Sequence, residues 1–295
     1  MSDRFRCSIR SLALDEPCYA TASQVRRWIL VEQPGPWGRD AVMESRLPVD
    51  VATQLRGIAR AVGARLLLIR PHGRWVPVAR TCFVAVTTAE VQRIERLTFD
   101  DPAELLAVDW SALRTFGAVG DPVDHPLYLV CTNGSHDPCC AEFGRPVART
   151  LDVLLGDRVW ECSHFGGDRF AGNLLCLPDG TYYGRVTPEA AGRLVDDHEA
   201  GTLDLARYRG RSWVPFVAQA AEHLVRAQRG DTAIDGLVPV AVDADGAQFR
   251  VTLATAAGEP LLATIERVPA ADPQQLTCHS GTQERPPRYR LVALR

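Results

Sequence analysis

The chain has 295 residues, which is long enough for a large hydrophobic core or for two domains. Hydrophobic residues make up 46% of it and charged residues 23%, as is typical of a globular protein, while the net charge of −3 gives no electrostatic case for binding nucleic acid or an anionic membrane surface. No apolar run approaches membrane-spanning length, and the first residues lack the apolar segment of a signal peptide.

The nine cysteines are irregularly spaced and odd in number, which argues against a disulfide framework. We therefore expect a reducing compartment, the cytoplasm. Cys82 and Cys176 lie in apolar runs and are predicted to be ordinary buried core residues. Cys7, Cys18 and Cys278 lie in segments without a regular pattern, and the sequence assigns them no role.

The first part of the chain alternates strand and helix patterns. Residues 1–22 are predicted to be irregular, and an apolar run predicts a buried strand over residues 27–33. Apolar residues at helical spacing predict a helix over 49–62. Strands follow over 65–70 and 82–87, separated by a turn and a Trp-Val-Pro-Val segment at 75–78. The predicted order is strand, helix, strand, strand.

The middle of the chain repeats that order. Further strands and helices are recognised by the same patterns: strands over 127–131, 158–162, 174–177 and 181–186, and helices over 144–155, from Thr187 onward and over 215–229. In the last helix we expect Phe216, Ala220, His223 or Leu224, and Ala227 to face the core. The order strand–helix–strand–strand–helix is thioredoxin-like. We hypothesise two such halves, residues 1–115 and 116–230, although the order could also recur by coincidence because strand–helix alternation is common.

Beyond Gly230 the hydrophobic pattern changes to period two. It predicts a β-meander over 238–242, 248–253 and 261–268, with a last strand over 288–294. We interpret residues 231–295 as a small β-rich appendage, which either docks a partner or another copy, or only covers part of the fold. The predicted fold class is α/β, thioredoxin-like with two related halves and this appendage.

The most informative segment, residues 131–168, contains four cysteines and two histidines, spaced as Cys-x8-Cys, twenty-three residues, then His-x3-Asp. Apolar runs lead into Gly-rich sequence here, which is how soft metal ligands are often presented. Structural zinc modules use tighter Cys-x2–4-Cys spacing, so an iron–sulfur cluster fits better than zinc. His136 lies in a Ser-His-Asp-Pro stretch that is typical of a solvated turn, and only one of the adjacent cysteines Cys139 and Cys140 is expected to face a metal.

These residues resemble the sucrase/ferredoxin-like family, whose members resemble thioredoxin-like 2Fe–2S ferredoxins. The family motif is Cys-x8-Cys followed at a distance by His-x-Gly-Gly-His. Cys131 and Cys140 match the cysteine pair and His164 begins the second half, but Asp168 stands where the family has its last histidine. The thioredoxin-like ferredoxins have a Cys-x3-Cys pair about ten residues before a Pro-x-Gly-x-Tyr-Tyr turn. Here the turn is Pro-Asp-Gly-Thr-Tyr-Tyr at 178–183, and counting back from it reaches Asp168 and His164. Further matches at 34–38 and 210–222 extend the resemblance over most of the chain.

The resemblance implies a 2Fe–2S cluster with two thiolates on one iron and imidazole on the other, which raises the reduction potential above that of a four-cysteine site. The fourth ligand stays open. Asp168 could bind through oxygen, which would lower the potential. Cys162 could bind instead. It lies two residues before His164, and residues two apart on a strand point to the same face. In a third alternative the second iron site is incomplete and the cluster is weak or lost.

Electron transfer or redox sensing is the function that this resemblance implies, with a flavoprotein reductase as the redox partner by analogy. The residues would tune the cluster and catalyse no bond breaking, so we do not expect an enzyme. Hydrolysis is disfavoured because no Gly-x-Ser-x-Gly elbow is present. A thiol-based redox protein, or a cluster-free structural protein of the same fold, is the alternative, although no Cys-x-x-Cys supports thiol chemistry.

Overall fold

The computed structural model describes residues 5–73, 79–246 and 248–295. The Trp-Val-Pro-Val segment at 75–78 lies outside the described residues, as does the beginning of the chain at 1–4. Among the described residues the helices are α1 (Cys7–Ala13), α2 (Val49–Ala61), α3 (Pro138–Leu155), α4 (Pro188–Glu199) and α5 (Phe216–Arg229). No helix in these ranges is both long enough and apolar enough to cross a membrane.

The strands form two sheets. The large sheet contains β1 (Arg27–Glu32), β2 (Arg65–Arg70), β3 (Arg80–Thr87), β4 (Gln92–Phe99), β5 (Asp121–Val123), β6 (Leu127–Cys131), β7 (Val159–Cys162), β8 (Leu174–Leu177), β9 (Thr181–Tyr183) and β10 (Tyr208–Arg211). The small sheet contains β11 (Leu237–Asp245), β12 (Gln248–Thr255), β13 (Pro260–Pro269) and β14 (Pro287–Leu294), in that order.

The large sheet has the order β10-β9-β8-β6-β7-β2-β1-β3-β4-β5 and contains the same arrangement twice. In the first half, β1 is parallel to β2 and antiparallel to β3, which is antiparallel to β4. In the second half, β6, β7, β8 and β9 repeat these relations. The halves join where β2 and β7 pair antiparallel, with Ile69 opposite Cys162. The α/β, thioredoxin-like fold with two related halves is therefore confirmed, whereas the domain boundaries stay a prediction.

Alternate strand residues face separate cores, as the period of two requires. On β1, Ile29 belongs to the core beneath α2, whereas Trp28 belongs to a core on the opposite face that runs across both halves. On β6, Tyr128 packs in the core with α3 and α4, whereas Cys131 belongs to the core shared by the halves. The C-terminal meander is confirmed as a separate antiparallel sheet, which packs on α5.

Some local expectations were wrong. Residues 1–22 contain the short helix α1, and the strands β4, β5 and β10 were not expected. Phe216 is 41% exposed, whereas Glu222 and Arg226 on the same helix are fully buried. The reason is that these two charges pair at 3.1 Å, and Glu222 also accepts a hydrogen bond from Tyr208 at 3.0 Å, so the buried face of α5 is partly polar.

Helix α3 begins six residues earlier than expected, at Pro138 instead of Gly144. Asp137 caps it by accepting a hydrogen bond from the Cys139 backbone N–H at 2.9 Å, and Pro138 occupies the first helical position, where no N–H is needed. Cys139 and Cys140 therefore lie in the first turn of a helix and not in a loop.

Candidate metal centre

The cysteine pair is brought together by close contact between a strand end and a helix start. Cys131 is the last residue of β6, and Cys140 lies in the first turn of α3 after a short connection. A Cβ atom at Gly144 would lie 2.1 Å from the Cys131 carbonyl oxygen, so only glycine allows α3 to approach β6 this closely. Both cysteines are buried, at 1% and 0% exposure.

The second pair of residues is brought together by a chain reversal after β7. Gly166 and Gly167 have φ of +107° and +87°, values that side chains other than hydrogen rarely allow. A Cβ at Gly167 would also lie 2.4 Å from the Arg209 Nη2 atom. The reversal places Asp168 Oδ1 2.9 Å from His164 Nδ1, which explains why Gly-Gly stands between these two residues.

The two pairs converge. Cys131 Sγ and Cys140 Sγ each lie 3.9 Å from His164 Nδ1, and Cys140 Sγ lies 3.2 Å from Asp168 Oδ1. The donor atoms of Cys131, Cys140 and His164 all lie within 4.8 Å of one another. We call Cys131, Cys140, His164 and Asp168 the central group.

His136 adjoins the central group, although its sequence context is that of a solvated turn. Its ring stacks on that of His164 with centroids 3.7 Å apart and an interplanar angle of 12°. Its Nε2 atom lies 3.9 Å from Asp168 Oδ2, and Nδ1 faces the Arg39 carbonyl oxygen at 3.3 Å. His136 thus fixes one face of His164 and is itself within reach of an ion near Asp168.

Cys162 is buried beside the central group but outside it. It is the register partner of Cys131 across β6 and β7. Among the described residues, the groups with donor atoms within 4.8 Å that include His164 contain Cys131 and Cys140, or His136 and Asp168, but not Cys162. β7 ends at Cys162, so the strand alternation that would place Cys162 and His164 on one face does not extend to His164.

Hydrogen bonds and charges set the protonation of the central group. A hydrogen bond from Cys140, reinforced by His164, lowers the pKa of Cys131 well below that of a free thiol, and the same contact with Cys131 raises the pKa of Cys140. Burial opposes a charge on His164, but bonds to Asp168 and Cys131 outweigh it and raise its pKa to about 9. Burial likewise disfavours the Asp168 carboxylate, yet its bond to His164 lowers its pKa. Without a metal, Cys140 is therefore a neutral thiol, and the His164 cation offsets one of the two anions, Cys131 and Asp168.

Buried polar residues support the loop and the strand end. Arg209, 1% exposed, donates to the Gly166 carbonyl at 3.1 Å and to Asn173 Oδ1 at 2.8 Å, beneath the glycine reversal. At the junction of the halves, Glu161 accepts hydrogen bonds from Arg70 Nη2 at 2.6 Å and from Thr132 Oγ1 at 2.7 Å. Thr132 directly follows Cys131, so this carboxylate connects the first half to the end of β6.

The donor set fits a thiolate-bound metal centre. Two thiols are soft ligands suited to iron or zinc, imidazole is of intermediate hardness, and a carboxylate is hard. The buried sulfurs lie on the inner side, whereas the side chains of His164 and His136 are 17% and 29% exposed and line an open cleft of about 740 Å³. Four arginines also line the cleft: Arg39, Arg56, Arg60 and Arg65.

A second group of donors was missed by the sequence analysis. Cys7, Asp137, Cys139 and Cys278 have ligand atoms within 4.8 Å of one another, on the other side of the first turn of α3. The adjacent cysteines Cys139 and Cys140 gave a hint, because neighbours on a helix point in different directions. Nothing local in the sequence connects them to Cys7 or Cys278. Cys82 and Cys176 are buried core residues, as predicted.

Comparison with known proteins gives the following likenesses. The sequence profile of sucrase/ferredoxin-like proteins matches residues 18–210. The chain is similar to the thioredoxin-like [2Fe-2S] ferredoxin from Aquifex aeolicus, with 17% identity and a TM-score of 0.28 over 32% of this chain and 97% of that chain. A cysteine-to-serine variant of the Aquifex aeolicus thioredoxin-like [2Fe-2S] ferredoxin gives 18% identity and a TM-score of 0.25, over 28% and 97% of the two chains. No curated protein matches the sequence.

The profile match agrees with the motif resemblance, since residues 18–210 include both Cys131-x8-Cys140 and His164-x-Gly-Gly-Asp168. It covers more than half of the chain. This protein therefore belongs to the sucrase/ferredoxin-like family.

Proposed function

We propose that this protein is an electron-transfer or redox-sensing protein whose central group binds a 2Fe–2S cluster. The observation that carries the proposal is the convergence of two buried thiols with an imidazole and a carboxylate, all from one strand end, one helix start and one glycine reversal. A bound cluster would supply one-electron chemistry, which these side chains lack.

Cys131 and Cys140 would be the thiolate ligands of one iron, and His164 and Asp168 would serve the other. Asp168 is preferred to Cys162 because it contacts both Cys140 and His164. His136 would support His164 by stacking on it. A carboxylate in place of the family's second histidine adds negative charge, so we expect a lower potential than in members with two histidines.

The arrangement separates an insulated side from an accessible one. Cys131 and Cys140 are excluded from solvent, whereas His164 and His136 border the arginine-lined cleft. Electrons would then enter or leave through the histidine side. The arginines would favour a partner with an acidic surface, such as a flavoprotein reductase.

The direct test is anaerobic purification followed by absorption and electron paramagnetic resonance spectroscopy. We expect a brown protein with two irons and two labile sulfides per chain. Cys131→Ser and Cys140→Ser should abolish these signals, whereas Cys82→Ser and Cys176→Ser should keep them. A colourless iron-free protein, or equal loss in all four variants, would overturn the proposal.

The fourth ligand is tested with two alanine variants. If Asp168 binds iron, Asp168→Ala should release iron rapidly while Cys162→Ala changes little, and Asp168→His should raise the potential and make the cluster more persistent. If Cys162→Ala alone bleaches the cluster, Cys162 is the ligand and Asp168 only orients His164.

A thiol-based redox function is the second candidate, because the Cys131 and Cys140 sulfurs lie within 4.8 Å and the pKa of Cys131 is lowered by its neighbour. A reversible Cys131–Cys140 disulfide in iron-free protein, with a defined midpoint potential, would favour it. Failure of the pair to oxidise under mild oxidants would leave only the cluster proposal.

A further inference from the structure

We propose that Cys7, Asp137, Cys139 and Cys278 form a second, structural metal site that binds one zinc ion. The four residues come from three parts of the chain: α1, the start of α3, and the segment between β13 and β14. None of them belongs to the central group, and the proposal does not depend on whether a cluster is bound there.

The sulfur spacing is that of a tetrahedral thiolate site. Cys139 and Cys278 have their Sγ atoms 3.4 Å apart, and Cys7 Sγ lies 3.6 Å from Cys278 Sγ and 3.7 Å from Cys139 Sγ. Zinc–sulfur bonds of about 2.3 Å in a tetrahedral site place neighbouring sulfurs about 3.8 Å apart. The three thiols therefore form nearly one face of such a tetrahedron, and all three cysteines are free.

Asp137 completes the tetrahedron. Both of its carboxylate oxygens lie 3.8 Å from Cys7 Sγ. One oxygen accepts the Cys139 backbone N–H at 2.9 Å and the other accepts the Cys278 backbone N–H at 2.7 Å, which fixes the carboxylate and leaves lone pairs for a metal.

The buried charge of Asp137 also points to a cation. Asp137 is 0% exposed, and among the described residues it forms no ion pair with an arginine or a histidine. Two backbone N–H groups and the start of α3 offset its charge in part, and a cation beside it would offset the rest. Zinc bound beside it would place two positive charges next to the carboxylate and offset part of the charge of the three thiolates that form when the thiol protons leave to solvent.

The position of the site indicates its role. Cys7 and Cys139 are buried, whereas Cys278 is only partly buried, so the metal has a route of entry at the C-terminal segment. Cys139 directly precedes Cys140, so a metal on one side of this helical turn would fix the start of α3 for the central group on the other side. The site would thus attach α1 and the C-terminal appendage to the helix that supplies a cluster ligand.

The test is metal analysis of the full chain, purified anaerobically from zinc-containing medium. We expect about one zinc per chain in addition to any iron. Cys278→Ala, chosen because its side chain is only partly buried, should lose the zinc and keep the cluster spectrum. The double variant Cys131→Ala/Cys140→Ala should lose the iron and keep the zinc, and Cys18→Ala, a buried cysteine in neither group, should keep both.

Cobalt provides a readout that does not depend on the cluster. In the Cys131→Ala/Cys140→Ala background, Co²⁺ should give thiolate charge-transfer bands and the visible bands of a tetrahedral site, and adding Cys278→Ala should abolish them. A wild-type chain without zinc, zinc that persists in Cys278→Ala, or a disulfide among Cys7, Cys139 and Cys278 in anaerobic protein would each overturn the proposal.

Discussion

The two halves of the large sheet have the same strand order but different chemistry. In the first half, β1 is followed by a long connection, residues 33–48, before α2. In the second half only residues 132–137 separate β6 from α3. Within the repeated elements β1, α2, β2, β3 and β4 the only cysteine is Cys82, and burial raises its pKa to about 12, as for an inert core thiol.

The helices also differ in how closely they approach the sheet. In α3, Gly144 touches the end of β6, and a Cβ there would clash with backbone at 2.1 Å. In α2, Gly57 is exposed, and a Cβ there would meet nothing within 4 Å. Strand–helix–strand–strand order alone therefore does not bring metal-ligating side chains together. A short connection, a close helix contact and the glycine reversal of one half bring the donors together.

The largest effect is expected from removing that close contact. Gly144→Ala should force α3 away from β6, separate Cys140 from Cys131 and abolish metal binding, with a loss of about 3 kcal/mol in the free energy of unfolding from overpacking. Iron content and urea unfolding measure both effects. A variant that keeps a full cluster would show that the close contact does not create the centre.

The junction of the halves gives the next largest effect. Glu161→Gln removes the charge that faces Arg70 and His72, at 2.6 and 2.7 Å, and should destabilise the protein by about 2 kcal/mol, because both partners can still reach water. It should also speed loss of the cluster, because Thr132 donates a hydrogen bond to Glu161 and directly follows Cys131. The matched control is Glu95→Gln, an equally buried carboxylate in the first half, which should lower stability without changing the cluster's lifetime.

The pH dependence of metal binding should also distinguish the second half. A pKa raised to about 9 leaves His164 protonated at neutral pH, and Cys140 is also protonated, so a metal must displace both protons. Affinity should therefore rise with pH, by about tenfold per pH unit for each proton displaced, and the His164 part should end above about pH 9.

Co²⁺ titrations of the cluster-free Cys278→Ala chain between about pH 6.5 and 9.5 measure this slope. The range includes the pKa of an unperturbed histidine, 6.5, and the raised pKa of His164, about 9. Asp168→Asn removes one of the two groups that raise the pKa of His164, so the part of the slope that is due to His164 should end at a lower pH than in the parent chain. An unchanged slope would mean that His164 does not give up a proton to the metal.

The smallest effect tests the open surface of the first half. Gly57→Ala, at an exposed interior position of α2, should stabilise the protein by about 0.5–1 kcal/mol and leave the cluster spectrum unchanged, because alanine favours the helix and meets no neighbour. Thermal and urea unfolding measure the gain. Destabilisation by Gly57→Ala would mean that α2 is packed as closely as α3 and would weaken the comparison.

Elements with a local residue pattern were predictable from the sequence alone. Period-two and helical spacing predicted both repeats of strand, helix, strand and strand, and the meander. Motif spacing predicted Cys131, Cys140 and His164 and left Asp168 and Cys162 open as the fourth residue, because turns, caps and short-range ligand spacing depend on neighbouring residues.

Contacts between residues that are distant in the chain depend on the tertiary fold. The stacking of His136 on His164 and the position of Cys162 outside the central group depend on where β7 ends and how its loop packs. The meeting of Cys7 with Cys139 and Cys278 spans 132 and 271 positions of the chain. No periodicity encodes such contacts, because they form only when the burial of whole helices and sheets fixes which ends of the chain lie side by side.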